Sequence, residues 1–266
     1  SHHARCAAPR IDFPHGIHIW AVNNKDAAMT RHEAFGLEAF PITRRWPPQD
    51  PTRLQLYSYP TPNGVKVSIA LEEMGLPYEA HRVTLADADV KSEEFLSLNP
   101  NGKIPAIVDP DGPDGAPLGL FESGAILRYL AEKTGKLGGA TAADRHRVTQ
   151  WLMFQMGGIG PMFGQLGFFV KFKGAEVTDP IPRARYVSEA KRLLGVLESQ
   201  LEGRDWIAGD YSIADIAIAP WLRGLDFYGA RPLVGWEDHP RTMAYLDRFL
   251  DRPAVQRGLT IPSRDG

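Results

Sequence analysis

Thr61-Pro62-Asn63-Gly64 lies between an extended-looking run at residues 54–59 and a helix-like run at 65–75. Where an extended chain turns into a helix, the first N–H groups have no intrahelical partner and face whatever lies before them. Asn and Gly are also ordinary turn and helix-cap residues, and that structural reading stands beside a chemical one. In the chemical reading the Asn63 amide, the Thr61 hydroxyl and nearby N–H groups donate to an anion that the positive helix end favours. A thiolate suits such a place. The stretch holds neither Cys nor Ser, so a thiol that reacts there must arrive with a ligand.

Two further stretches have the same character. In Asn101-Gly102-Lys103-Ile104-Pro105-Ala106, a proline early in a strand is an edge feature or a cis peptide, and the backbone of Ile104 can pair with a peptide-like ligand. Lys103 either meets a carboxylate or is a solvated surface lysine. In Phe121-Glu122-Ser123-Gly124-Ala125-Ile126, Ser123 reads as an N-cap. Free N–H groups and the Ser123 hydroxyl also suit a carboxylate, and Glu122 an ammonium, which together describe the α-amino-acid end of a ligand.

The elements that must position these residues alternate in type. Strands are expected at 54–59, 78–85, 104–108 and 118–121, with helices at 65–75, 92–98 and 123–131. The order is β-α-β-α-β-β-α, parallel at its start and antiparallel at its end. Strand signals stop at the Gly-rich segment 134–140. A long helix is expected at 142–172, bent or broken by Gly157, Gly158, Gly160, Pro161, Gly164 and Gly167. Further helices follow at 182–201, 212–228 and 239–250, with a short turn at 253–258. Residues 1–52 show no periodicity and read as an arm, which Trp20, Phe35, Phe40 and Trp46 can pin to the body. The fold class is α+β, with an arm at 1–52, a small α/β domain at 53–134 and an all-α domain at 141–259. Ser212-Ile-Ala-Asp215 is a capping-box variant opening a buried helix. Trp151, Phe154, Met162, Phe163 and Phe168 are either core residues or walls of an acceptor pocket, and Lys171-Phe-Lys173 reads as a solvated helix end.

The totals narrow the function. The chain has 266 residues, 43% hydrophobic and 23% charged, enough for a sizeable core. A net charge of -2 without long single-sign runs gives no footprint for nucleic acid or an anionic membrane. No apolar segment approaches the ~20 residues that span a bilayer, and a cytoplasmic location is expected. The single cysteine, Cys6, excludes an internal disulfide framework, a C-x-x-C pair and a multi-cysteine zinc site. His2, His3, His15 and His18 lack acidic or thiol companions at metal-site spacing, so no metal is expected. Gly158, Gly160 and Gly164 do not match a dinucleotide fingerprint.

A ligand combining a thiolate, a peptide backbone and an amino-acid end is glutathione. The stretches Tyr-Pro-Thr-Pro-Asn-Gly-Val-Lys, Asn-Pro-Asn-Gly-Lys-Ile-Pro-Ala and Phe-Glu-Ser-Gly-Ala-Ile, in that order, resemble those of glutathione transferases. They are most similar to the Nu class, the bacterial group related to the fungal Ure2-type regulators. The resemblance spans roughly residues 54–261. It implies a thioredoxin-like N-domain with a helical C-domain, a homodimer, and an activity toward disulfides that uses bound glutathione, reduced or oxidised, in place of a protein cysteine. Carried over by motif, Thr61 and Asn63 meet the sulfur, and Lys103 the glycyl carboxylate. Ile104 and Pro105 meet the cysteinyl backbone, and Glu122 with Ser123 the γ-glutamyl end. Arg185 resembles an arginine that reaches the neighbouring subunit's site. The chain departs from the pattern where relatives place a glutamine after the second strand: Val90 stands there, with Asp89 and Lys91 beside it. Tyr57 and Tyr59 are alternative donors to the thiol. Conjugation to electrophiles, peroxidase activity and a non-catalytic glutathione-binding module are the alternative functions.

Overall fold

The computed structural model describes residues 36–264. Cys6, Trp20, Phe35 and the histidines at 2, 3, 15 and 18 lie outside the described residues. Ahead of the sheet, a 3-10 turn at Leu37–Ala39 and the short helix α1 (Ile42–Arg45) run into β1 (Leu54–Ser58). Then come α2 (Gly64–Met74), β2 (Tyr78–Arg82), α3 (Asp87–Val90), α4 (Glu93–Leu98), β3 (Ala106–Asp109), β4 (Leu118–Phe121) and α5 (Ser123–Thr134).

The sheet order is β2-β1-β3-β4. β1 pairs parallel with β2, Leu56 opposite Ala80, and antiparallel with β3, Leu56 opposite Ile107. β3 pairs antiparallel with β4. With helices on both faces, β1 is buried along its whole length. The strand period of two sends Leu54, Leu56 and Ile107 into the core shared with α2, α5 and the later helices, while Tyr57, Ala106 and Val108 enter a second cluster with Leu37, Ile42, Phe95 and Leu98. Phe40 and Trp46 pack against that second cluster. The Trp46 indole N–H donates to Arg82 O at 3.2 Å, and Arg45 pairs with Asp89 at 2.7 Å. Segment 36–52 therefore carries structure that its lack of periodicity did not announce, because its few apolar anchors are spaced irregularly.

The second half is helical: α6 (Ala142–Phe154), a π-helical segment Gln155–Ile159, α7 (Gly160–Val170), α8 (Pro180–Gln200), α9 (Ile213–Tyr228), α10 (Arg231–Val234), α11 (Pro240–Leu250) and α12 (Pro253–Gly258). The glycine-rich middle of the expected long helix widens into the π turn and continues. At Gly160 a Cβ would lie 2.6 Å from the Gln155 side-chain nitrogen, so the glycine leaves that side chain its place. The capping box at α9 is present: Ser212 Oγ accepts from Ala214 N, and Asp215 accepts from Ser212 N.

Candidate glutathione site

α2 begins with a close approach that explains its first residue. A Cβ on Gly64 would lie 1.8 Å from the Tyr59 carbonyl oxygen, so only glycine fits there. Thr61 Oγ1 accepts from Gly64 N at 3.1 Å, which leaves its own hydroxyl proton available to donate. Asn63 occupies the N-cap position without making a side-chain cap. Its Oδ1 instead accepts from Lys66 Nζ at 2.8 Å and from Trp221 Nε1 at 3.1 Å. Both lone pairs of that oxygen are then taken, and Nδ2, the donor end, is the group free to turn outward.

The proline stretch comes second. The Ile104-Pro105 peptide is cis, and β3 starts only at Ala106, so Pro105 precedes the ladder in place of interrupting it as the expected strand at 104–108 required. Asn99 sets the loop before it. This buried side chain accepts from Asn101 N at 2.9 Å and donates to Lys103 O at 2.5 Å, across Gly102 with its φ of 62°. Lys103 itself is exposed.

At the third stretch the expected cap is displaced by one residue. Glu122 is the N-cap, with φ 69°, a region that costs a non-glycine residue on the order of 1 kcal/mol or more. Ser123 is the first helical residue, buried, and its Oγ lies 3.3 Å from Lys66 Nζ.

A cleft of about 590 Å³ collects these groups: Thr61, Asn63, Lys103, Ile104, Pro105, Glu122 and Ser123 all line it. Val90 lines it too, whereas Asp89 is held by Arg45 and Thr84, and Lys91 is paired with Asp87. The helical side contributes Gly160, Pro161, Gly164 and Gln165. Arg185 is exposed on α8 and does not line the cleft of its own chain.

A second cavity of about 760 Å³ shares Thr61, Asn63 and Leu85 with the first. Its aromatic walls are Tyr59, Phe172, Trp221, Phe227 and Tyr228, with Arg223, Asp226 and Arg264 among the polar groups. Trp151, Phe154, Met162, Phe163 and Phe168 line neither cavity. The signal for the walls of this second cavity is weak, because Phe172 sits in a stretch that reads as a solvated helix end. There Lys171 in fact lies over the Phe227 ring, 4.3 Å from its centre. Of the two tyrosines considered as donors, Tyr57 is fully buried away from both cavities and Tyr59 lines the second.

Three residues that the local sequence did not single out complete the site. Lys66 is excluded from solvent and donates to Asn63 Oδ1, Ser123 Oγ and Gln155 Oε1, the last at 2.6 Å. Burial pulls its amine down to about 7, against the attraction of Glu122. Gln155 in the π segment and Trp221 on α9 close the network from the helical half. A lysine that falls on the apolar face of an amphipathic helix is the signal that points to Lys66.

Among the described residues no group of His, Cys, Asp and Glu is placed to hold a metal, and no helix is long and apolar enough to cross a membrane.

The glutathione S-transferase N-terminal domain family model matches residues 61–133, and the C-terminal domain model residues 182–248. The chain belongs to the glutathione transferase family. It is similar to the disulfide-bond oxidoreductase YfcG of Escherichia coli, 43% identical over 208 residues that make up 77% of this chain and 94% of that protein. Among solved structures it is similar to a glutathione transferase from Burkholderia graminis with two glutathione molecules bound per subunit. The identity is 64% and the TM-score 0.85, covering 87% of this chain and 98% of that one. It is likewise similar to one from Pseudomonas putida with one glutathione disulfide bound per subunit, with identity 62%, TM-score 0.84, and coverage of 85% and 99%.

Proposed function

We propose that this protein binds glutathione in the first cleft and uses its thiolate to reduce disulfide bonds. The observation that carries the reading is the Asn63 side chain, whose amide oxygen is held by Lys66 and Trp221, leaving the N–H end to donate, and which lines a cleft with no thiol among the described residues. Asn63 and Thr61 donate to the sulfur, Lys103 meets the glycyl carboxylate, Ile104 and Pro105 the cysteinyl backbone, and Glu122 with Ser123 the γ-glutamyl end. A hydrogen-bonded thiolate at a helix start has a lowered pKa, which raises its fraction at neutral pH. The thiolate attacks one sulfur of the substrate disulfide. The S–S bond breaks, one half leaves as a thiolate and takes a proton, and a mixed disulfide with glutathione remains. A second glutathione thiolate then resolves that mixed disulfide, so two glutathiones become glutathione disulfide while the substrate becomes two thiols. The ligands of the Burkholderia and Pseudomonas proteins, two glutathiones and one glutathione disulfide, match the two ends of this sequence and support it.

Reduction of 2-hydroxyethyl disulfide by glutathione tests the reading. The expected result is turnover that falls about a hundredfold in Asn63→Ala, the size typical for loss of one preorganised donor. Turnover no faster than the uncatalysed exchange, or an unchanged rate in the variant, counts against it.

The aromatic walls of the second cavity favour a second reading, conjugation of an apolar electrophile, and turnover of 1-chloro-2,4-dinitrobenzene in preference to disulfides would select it. We further assign the chain to the Nu class, with a glutathione-binding unit at 53–134 and an acceptor-lining helical unit at 141–259. It is read as a cytoplasmic homodimer, in which Arg185 serves the neighbouring site; a reducing compartment supplies the glutathione that the reaction consumes. Sedimentation equilibrium checks the dimer.

A further inference from the structure

Lys66 occupies the third residue of α2, without exposure, where α2, α5 and the π segment meet. Burying an ammonium costs several kcal/mol after relaxation, and an apolar side chain would join the three elements without that cost. Its surroundings nevertheless give the amine hydrogen-bond partners in place of water. Three oxygens, Asn63 Oδ1, Gln155 Oε1 and Ser123 Oγ, stand at 2.8, 2.6 and 3.3 Å from Nζ, and the two amide oxygens only accept. Burial opposes the charge on the amine, and the Glu122 carboxylate attracts it.

The connection to the cleft runs through Asn63. Lys66 Nζ and Trp221 Nε1 hold the same oxygen from α2 and α9, which fixes the plane of the amide and the direction of Nδ2. Gln155 holds Lys66 in turn, and Gly160 leaves the room its amide needs. We propose that Lys66 is a positioning residue of the disulfide chemistry: acting through Asn63, it aims the Nδ2 N–H at the sulfur of bound glutathione, and in its protonated form it favours the thiolate. The inference rests on the reading of Asn63 as the sulfur's partner. Thiolate and ammonium stabilise each other across the amide, and Lys66 touches no substrate atom itself.

The thiolate absorbance of bound glutathione, titrated near 240 nm, is the test, with wild type, Asn63→Ala, Lys66→Met and Gln155→Glu compared. Gln155→Glu keeps the shape and the hydrogen bond to Nζ while cancelling the charge, so it serves if Lys66→Met does not fold. The control is the affinity for a glutathione analogue whose thiol is replaced by a methyl group. In Lys66→Met and Gln155→Glu the bound thiol is expected to titrate about one unit higher than in wild type, a tenfold smaller thiolate fraction at neutral pH, with analogue affinity within about threefold. An unshifted thiol in Lys66→Met, or in Gln155→Glu if the first is unfolded, overturns the role of Lys66. So does analogue affinity that falls in step with the thiol, which marks a merely structural part. An unshifted thiol in Asn63→Ala removes the reading of Asn63 beneath it, so the two failures are told apart.

Discussion

An amide oxygen that already accepts from two donors cannot turn to accept from a third. That constraint leaves Asn63 its amide N–H to offer, and one of the two donors, Trp221, comes from far along the chain. Lys66 also gives stability a pH dependence. Its ordinary value is 10.5 and burial lowers it to about 7, so between these values the unfolded chain holds a proton that the folded protein has released. More protons on the unfolded side means that stability rises with pH. Without glutathione, urea unfolding is expected to show the wild type gaining about 2 kcal/mol from pH 7 to pH 9 relative to Lys66→Met. A difference that stays flat over that window would show that the buried amine is not desolvated as described.

At the scale of elements, each binding stretch is the start of a helix or strand, and each start has its own local cause. The Tyr59 carbonyl admits only glycine at the start of α2, Asn99 staples the loop before β3, and Glu122 takes a positive φ before α5. These causes are local, which is why the turns and element starts that bring Thr61, Asn63, Ile104, Pro105, Glu122 and Ser123 to one cleft were legible in the sequence. The supports could not be read in the same way. Lys66 meets Gln155 across 89 positions and Asn63 meets Trp221 across 158, and no periodicity marks such pairs. Phe172 and Phe227 escaped for a related reason, since a helix end that is solvated on one side can wall a cavity on the other. The start of α9, which delivers Trp221, depends on Asp215, fully buried and accepting from Ser212 N and Ile207 N at 2.9 and 3.0 Å. Asp215→Ala leaves both N–H groups unpaired. A loss of about 2–4 kcal/mol is expected in urea denaturation, and a loss below ~0.5 kcal/mol would mean that the cap does not hold this helix.

Over the described residues, one continuous core runs from β1 through α2 and α5 to α9, joining the α/β and helical halves beneath the cleft. Helix α12 returns to α2: Ser68 Oγ donates to Gly258 O at 2.6 Å, and a Cβ on Gly258 would lie 2.6 Å from Ile69 Cα. Beside that contact Glu73 accepts from Arg252 at 2.6 and 2.9 Å and from the Tyr211 hydroxyl at 3.0 Å. The carboxylate is nearly buried while Arg252 is 34% exposed, so Glu73→Ala is expected to cost about 2 kcal/mol in thermal or urea unfolding, less than a fully buried pair. An unchanged midpoint would separate this network from the joining of the two halves. The central claim concerns the molecule and its ligand together, namely that the reacting sulfur belongs to glutathione. The single cysteine of the chain is Cys6, and Cys6→Ser leaves no protein thiol at all. The measurement is the rate of glutathione-dependent reduction of 2-hydroxyethyl disulfide by Cys6→Ser beside wild type: equal rates are predicted, and loss of activity in the variant would contradict the account.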